Sequence, residues 1–306
     1  MYQIIAKNKI WLSISGILVA TSIVMMIVWG LKLGIDFTGG SLLEVNFNGN
    51  RPTVTEVENK LADVKLQSLT VQPVEETGMI LRFQQTSEDV HQSVLKKLHE
   101  FNTPSGDKNL PPSVEELRFE AVGPSIGQEL QKKAVSATIL VLLAISLYIA
   151  WAFRKVSRPV ASWKYGMATI ISLLHDVLIV LGFFAYLGHF YNVEVNTSFV
   201  AAVLTVLGFS VHDTIVVFDR IRENLPRSND NFAGTVNTSL NQTLTRSINT
   251  SLTVLLVLLA ITVMGGASIH NFALALLIGI FFGTYSSIFL ASPLLVVFEN
   301  LRRKNL

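Results

Sequence analysis

The sequence predicts a polytopic α-helical membrane protein with six spanning helices and an external α+β domain between the first and the second. Half of its 306 residues are hydrophobic and 15% are charged, proportions that exclude a disordered chain and most soluble enzymes. The apolar residues are gathered into runs of about 20, the length that a helix needs to cross a hydrocarbon core of about 30 Å. One polar stretch of about 100 residues separates the first run from the second.

Six segments have the length and hydropathy of a membrane-spanning helix. They cover approximately residues 10–29, 134–153, 167–187, 199–218, 244–264 and 272–298. Lys7 and Lys9 precede the first segment, as they would in a secretion signal. Its apolar part is longer than that of a signal peptide, however, and no small-residue cleavage motif follows it. We therefore interpret the first segment as an uncleaved anchor.

Basic residues between the segments predict the orientation, because Lys and Arg in short loops stay on the cytoplasmic side. Twelve of them lie at the two termini and in the loops 154–166 and 219–243, whereas the short loops 188–198 and 265–271 contain none. Both termini are therefore predicted to be cytoplasmic. We divide the chain into three parts: the N-terminus with the first helix (1–30), the external domain (31–130) and the other five helices (131–306).

The external stretch is typical of a ferredoxin-like domain with the order β-α-β-β-α-β. Alternating and helical apolar patterns predict strands at 41–48, 66–74, 79–83 and 114–122, helices at 53–61 and 87–98, and a loop at 102–112. We predict no catalytic group in this domain. His91 and His99 lie eight residues apart with no matching ligand pair, so we interpret both as ordinary surface residues.

Ionisable residues inside the apolar segments are the candidates for function, namely Asp176, Asp213 and Arg246. A charged side chain at the bilayer centre costs roughly 2.5–3.5 kcal/mol, so it is expected to face the bundle, to pair or to titrate. An apolar stripe recurring every four residues is expected to face lipid: Val236, Leu240, Leu244, Ile248, Leu252 and Leu256. Arg246 lies about 200° from Leu244, so we predict that it turns into the bundle. The polar residues predicted to turn inward with it are Gln242, Asn249, Thr250 and Thr253.

Asp213 and Arg246 are predicted to form a proton pathway. They flank the same cytoplasmic loop on two antiparallel helices, so their depths in the membrane are expected to match. A paired Asp213 would stay ionised, whereas separation from Arg246 in an apolar environment would favour its protonated form, which makes the pair a proton-dependent switch. The alternative is a static buried ion pair that fixes the helix register.

The dipeptide His-Asp occurs twice, at His175-Asp176 and at His212-Asp213, with a spacing of 37 residues. Adjacent side chains diverge by about 100° on a helix, so neither pair presents two ligands to one metal. The chain has no cysteine and no zinc-protease motif, and we predict no metal and no cofactor. His175, Asp176 and His212 are secondary proton-relay candidates, with polar helix packing as the alternative.

Residues 34–40, GIDFTGG, resemble the signature shared by the SecD/SecF family of protein-export subunits. Four later stretches resemble the SecF members of that family, at residues 122–127, 175–177, 212–223 and 239–251. The resemblance extends in order and spacing over nearly the whole chain, and each charged membrane position agrees with it.

This resemblance implies an accessory subunit of the bacterial Sec translocase in the inner membrane, and not an enzyme. Such a subunit acts with SecD to drive the late stages of protein export with the proton motive force, and its six helices are arranged like half of an RND transporter. The implied partners are SecD, SecYEG, YajC and the unfolded polypeptide in transit. A net charge of +2 indicates no nucleic-acid partner. The resemblance also assigns Asp213 and Arg246 to the proton pathway of the family.

The signature motif carries a structural hypothesis. Gly34, Asp36, Gly39 and Gly40 would form the joint through which a helix shift moves the external domain, because glycine permits unusual backbone angles. The alternative is a simple turn into the first strand.

A second glycine motif is the G-x-x-x-G formed by Gly279 and Gly283 in the last apolar segment. This spacing indicates a close approach between helices. The same surface is a candidate for docking the partner subunit.

Two other functions agree with the same membrane chemistry. One is half of an RND-type small-molecule/proton antiporter, although such transporters usually contain two six-helix halves and large external domains. The other is a non-transporting scaffold or sensor, which would tolerate neutralisation of Asp213.

Overall fold

The computed structural model describes residues 2–48, 51–74, 76–101, 114–154 and 160–304, with only the backbone for residues 267, 268, 303 and 304. The predicted loop at 102–112 lies outside the described residues. The chain forms two compact units, one of Met1–Lys32 with Ala134–Leu306 and the other of Leu33–Lys133. We call them the membrane unit and the sheet unit.

In chain order the α-helices are α1 (Asn8–Trp29), α2 (Ile35–Thr38), α3 (Val54–Leu61), α4 (Glu88–His99), α5 (Pro124–Ala152), α6 (Ser162–Tyr191), α7 (Thr197–Asn224), α8 (Phe232–Met264), α9 (Ala267–Ser286) and α10 (Ser292–Lys304). A π-helical segment, Ser287–Ala291, joins α9 to α10. The strands are β1 (Gly40–Phe47), β2 (Thr70–Val74), β3 (Gly78–Phe83) and β4 (Val114–Val122). Six helical stretches in the described chain are long and apolar enough to cross a membrane, which confirms the predicted number.

Helix α8 begins well before the predicted start of its span at residue 244. Its first turns are polar, so hydropathy alone does not detect them. Asn231 caps the helix by accepting a backbone N–H of the first turn at 2.8 Å. Thr235, Ser239 and Thr243 each donate a hydroxyl to the carbonyl four residues earlier, which satisfies these polar groups within the helix.

Glycines of α9 bring this helix close to α7. A β-carbon on Gly279 would collide with Val206 of α7, and one on Gly283 would lie 2.9 Å from the β-carbon of Ser210. The predicted close approach at these two glycines is therefore confirmed. The prediction that they dock a partner subunit is wrong, because α7 of the same chain covers them.

Two asparagines of α8 bind the backbone at the N-terminus of the chain. The side-chain oxygen of Asn237 accepts the N–H groups of Ile4 and Ile5 at 2.9 and 3.2 Å. Its amide donates to the carbonyl of Tyr2 at 3.1 Å. Asn241, one turn later, accepts the N–H of Tyr2 at 2.7 Å and donates to the same carbonyl at 2.9 Å. These bonds connect α8 to the segment that leads into α1.

The sheet unit has the predicted ferredoxin-like arrangement. Its four antiparallel strands follow the order β2-β3-β1-β4, which is the order expected of a β-α-β-β-α-β chain of this type. Strand β1 alternates between buried and half-buried residues. Its inward residues Leu43, Val45 and Phe47 share one apolar core with Val57 of α3 and Val94 of α4.

A capping box begins α3. The Thr53 hydroxyl accepts the backbone N–H of Glu56 at 3.3 Å, and the Glu56 carboxylate accepts the N–H of Thr53 at 2.7 Å. The N–H of Thr53, followed by its hydroxyl, holds the pKa of Glu56 below its usual value. The contribution of this carboxylate to stability is therefore present at neutral pH and is lost as the pH falls through that lowered pKa.

The interpretation of His91 as a surface residue is wrong. It is 5% exposed, because it lies on the face of α4 that packs against the sheet. Its ring stacks on Phe119 of β4 with 3.7 Å between centroids, and its two nitrogens lie 3.1 Å from Glu88 and 3.3 Å from Glu116. His99, at the end of α4, is half-buried.

Candidate functional site

Asp213 is buried on the face of α7 that packs inside the membrane unit. It shares a buried stripe with Ser210 and Val217, which lie three and four residues away. The residue is 7% exposed, and its Oδ1 atom accepts the hydroxyl of Ser247 of α8 at 2.6 Å. Its Oδ2 atom has no hydrogen-bond partner among the residues that the structure describes. One oxygen of this carboxyl group is therefore available to carry a proton.

Arg246 does not face the interior of this chain, so its predicted orientation is wrong. Its side chain is exposed, as are those of the polar residues predicted to turn inward with it, Gln242, Asn249, Thr250 and Thr253. We call these five residues the polar face of α8. The predicted lipid-facing stripe is divided, because Val236 and Leu240 are fully buried whereas Ile248 is 47% exposed.

Small hydroxyl residues form the buried face of α8 instead, at Ser239, Thr243, Ser247 and Ser251. Ser251 shares a hydrogen bond of 2.6 Å with Thr284 of α9. Small residues at four-residue spacing let helix backbones approach each other. The sequence contains this signal, but hydropathy treats Ser and Thr as polar and does not distinguish them from Arg246 and its neighbours.

Asp213 and Arg246 share no hydrogen bond or ion pair in the described part of the chain. Arg246 and His212 are both exposed, whereas Asp213 is buried. The static buried ion pair considered above is therefore not formed in this conformation. A buried carboxyl group without a close cation is expected to bind a proton or to find its partner in a second conformation.

Asp176 of α6 is the centre of a second polar cluster. It is fully buried, and its Oδ1 atom lies 2.9 Å from Nδ1 of His175. Its Oδ2 atom accepts the hydroxyls of Ser210 of α7 at 2.6 Å and of Ser286 of α9 at 2.9 Å. Three helices therefore meet at this carboxyl group.

His175 is also buried, at 3% exposure. Its ring stacks with Tyr285 of α9 at 6.0 Å between centroids. The structure thus brings together two of the three predicted relay residues, His175 and Asp176. The third, His212, is exposed beside Asp213 and contributes nothing to this cluster.

The signature motif at residues 34–40 forms one helical turn and then enters β1. Gly34 has an extended backbone and precedes α2, whose first turn contains the half-buried Asp36. Gly39 and Gly40 have φ angles of 75° and 121°, which favour glycine. A β-carbon on Gly39 would lie 2.7 Å from Cα of Pro124, and one on Gly40 would lie 2.7 Å from the last carbonyl oxygen of β3. Backbone therefore encloses both glycines.

Proton binding is the chemistry that these groups can perform. Three buried carboxyl groups lie in the described part of the membrane unit, and two of them, Asp176 and Asp213, accept hydrogen bonds from serine. The third is Glu299 of α10. Within the described ranges, no three His, Asp or Glu side chains form a group that could hold a metal ion.

Residues 105–301 match the family described as protein export membrane protein SecD/SecF, C-terminal. Residues 25–49 match the SecD/SecF GG motif. The chain is 43% identical to a protein translocase subunit SecF from Thermobaculum terrenum, over 98% of this chain and 95% of that protein. It is 40% identical to the protein of the same name from Anaerolinea thermophila, with the same coverage.

The fold is similar to that of SecDF from Thermus thermophilus, described as a translocon-associated membrane protein. The TM-score is 0.82 at 32% identity, over 98% of this chain. A second SecDF structure, in a form called super-membrane-facing, matches with a TM-score of 0.69 over 99% of this chain. In both cases the chain spans 39% of the length of the solved protein.

Proposed function

This chain belongs to the SecD/SecF family of protein-export membrane proteins, and we propose that this accessory subunit of the Sec translocase drives late stages of export with the proton motive force. The proposal rests above all on Asp213, a buried membrane carboxyl group with one oxygen unpartnered among the described residues. A unit charge that crosses 100 mV gains about 2.3 kcal/mol. This free energy is enough to bias a helix movement, which is the step that we assign to protonation of Asp213.

The partner that we propose for the membrane unit is SecD, bound at the polar face of α8. An exposed Arg246 in a spanning helix cannot lie against lipid without a cost of roughly 2.5–3.5 kcal/mol. A second membrane subunit with a complementary acidic or polar surface removes this cost. The much longer SecDF proteins, of which this chain matches 39%, support the idea that such a surface belongs to the remainder.

The same proposal includes the environment of the subunit. It lies in the bacterial inner membrane with both termini in the cytoplasm, works beside SecYEG and YajC on an unfolded polypeptide, and has no enzymatic activity of its own. Aromatic rings cluster at the ends of α1 and α6, and this cluster supports the placement of one membrane boundary there. Trp29 packs within 6 Å of Tyr186, His189 and Phe190, as aromatic residues do at membrane interfaces.

The first test is replacement of the resident subunit in a bacterium depleted of SecF. Expression of this chain with its own SecD is expected to restore export, measured as the ratio of mature to precursor forms of a secreted protein after pulse labelling. The matched control is the same SecD expressed alone. Failure to restore export, with the chain present in the membrane, would contradict the proposal. Altered drug sensitivity without restored export would favour the antiporter.

Cross-linking is expected to locate SecD on the polar face of α8. The chain has no native cysteine, so a single cysteine that replaces Asn249 can carry a photoactivated cross-linker. We expect a product containing SecD from this site, because the polar face needs a protein surface. The control is a cysteine at Leu147 of α5, an apolar position that is 70% exposed. Equal yields from the two sites would show that the polar face is not the interface.

A further inference from the structure

Asp176 is more completely buried than Asp213, yet the pathway proposed above does not use it. A lone carboxylate in the membrane interior is costly unless it is paired or protonated. Nδ1 of His175 lies 2.9 Å from Oδ1 of Asp176, and no lysine or arginine forms an ion pair with Asp176 in the described part of the chain. The other elements that pack against α6 in the described chain carry titratable residues too, among them Lys9 in the first turn of α1, His212 and Asp213 in α7, Tyr285 in α9 and Glu299 in α10. The π-helical segment contains none.

We propose that Asp176 and His175 form a second proton-binding site of the membrane unit, coupled to Asp213 through α7. The proposal rests on the proposed function, because the same proton motive force would supply the proton. Its ligand is a proton, delivered and removed by water.

The proton count follows from the contacts. The hydroxyls of Ser210 and Ser286 lie within hydrogen-bond distance of Oδ2 of Asp176, although the Ser286 hydroxyl can also donate to the carbonyl of Gly283 at 3.1 Å. Oδ1 and the Nδ1 atom of His175 need one further hydrogen between them. With a neutral His175, the cluster then has a charge of −1. A proton added at Nε2 of His175 makes this residue a cation and the cluster neutral overall. Release of this proton leaves the Asp176 carboxylate without a neighbouring cation.

The Nε2 atom of His175 is the point of entry. It is buried and has no hydrogen-bond partner within the part of the chain that the structure describes. A neutral imidazole whose Nδ1 donates to a carboxylate has its lone pair on Nε2. If His175 served only in helix packing, its Nε2 atom would be expected to have a hydrogen-bond partner, because unpartnered buried polar atoms are rare and costly.

Helix α7 connects the two carboxyl groups. Ser210, which donates to Asp176, lies three residues before Asp213, about one helical turn. The hydroxyls of Thr214 and Ser287 lie 3.1 and 3.2 Å from the carbonyl oxygen of Ser210, and the Ser287 hydroxyl can also donate to the carbonyl of Gly283 at 2.9 Å. A change in the charge of Asp176 therefore alters the bonds that hold α7 in register.

The π-helical segment provides a place where this change can be absorbed. It begins directly after Ser286, the other hydroxyl that donates to Asp176. Its first residue, Ser287, contacts the hydroxyl of Thr214 at 2.8 Å. Short π-helical segments inside α-helices are rare, and many of those that do occur lie at functional sites. Protonation at Asp176 and His175 is expected to shift α7 relative to α9 at this segment.

Infrared difference spectroscopy on the complex with SecD tests the proposal directly. The complex in lipid vesicles is taken through a pH change, and the pH-dependent bands of carboxylate, protonated carboxyl and imidazolium groups are assigned with Asp176→Asn and Asp213→Asn. We expect each variant to remove a different band. Ser286→Ala, which keeps both carboxyl groups, is the control and is expected to keep both bands. The proposal is overturned if Asp176→Asn leaves every pH-dependent band unchanged.

Export assays supply a second measurement. Stimulation by a proton gradient is expected to fall about tenfold in Asp176→Asn, the size of a typical coupling between two sites, and to recover partly in Asp176→Glu. His175→Gln keeps a donor toward Oδ1 but has no basic nitrogen, so its pH profile is expected to shift.

If Asp176→Asn does not assemble, His175→Gln decides: a profile identical to that of the unmodified complex overturns the proposal. If the Asp176 and His175 variants export normally but Asp213→Asn does not, this inference fails and the proposed function stands. If Asp213→Asn also exports normally, the proposed function fails too.

Discussion

Replacing Asp213 by asparagine is expected to reduce the stimulation of export by a proton gradient about a hundredfold, at the upper end of coupling between sites. Asparagine has the same shape, and its oxygen can accept the Ser247 hydroxyl that Asp213 accepts at 2.6 Å. Its amide cannot bind and release a proton near neutral pH. The variant should therefore assemble but should not convert proton movement into a helix shift.

The measurement is the rate at which a precursor enters inverted membrane vesicles, with and without an imposed proton gradient. Ser247→Ala is the matched control, because it keeps the carboxyl group and removes one hydrogen bond, worth about 1 kcal/mol. It is expected to keep most of the stimulation. Full stimulation in Asp213→Asn, at an equal amount of subunit, would show that Asp213 is not the coupling group.

The sequence was sufficient to predict the number of spanning helices and the arrangement of the sheet unit. Both depend on strong local patterns, since a spanning helix needs a long apolar run and a strand such as β1 alternates between its two faces. The same patterns do not detect the polar start of α8. There the hydroxyls of Thr235, Ser239 and Thr243 are satisfied by the helix itself.

The orientation of Arg246 could not be predicted from hydropathy, because two different surfaces of α8 are polar. One consists of small hydroxyl residues such as Ser247 and Ser251, which pack inside the chain. The other carries Arg246 and is exposed. A prediction that separates polar from apolar residues, without considering side-chain size, assigns both surfaces to the same interior.

Asp176 and His175 were identifiable as unusual residues, but their partners were not. Ser210 and Ser286 lie 34 and 110 residues away from Asp176 in the sequence. No local periodicity joins positions so far apart, and serine is common in helices that pack closely. His91 illustrates the same limit in the sheet unit, since its burial depends on contact with Phe119 of a distant strand.

Gly39→Ala is expected to destabilise the sheet unit by about 3 kcal/mol, from two effects that add. The backbone of Gly39, at φ 75° and ψ 167°, lies in a region that is nearly restricted to glycine and costs about 1–3 kcal/mol for other residues. The new β-carbon would also lie 2.7 Å from Cα and 2.9 Å from N of Pro124. These are backbone atoms, so no side-chain rotation can relieve the contact.

Hydrogen exchange of the β1 and β4 amides in the intact protein measures this effect. A loss of about 3 kcal/mol accelerates exchange through global opening of the sheet unit on the order of a hundredfold. Gly123→Ala, between β4 and α5, is the matched control: its β-carbon would have no neighbour within 4 Å, and exchange should hardly change. Equal exchange in the two variants would refute the packing argument.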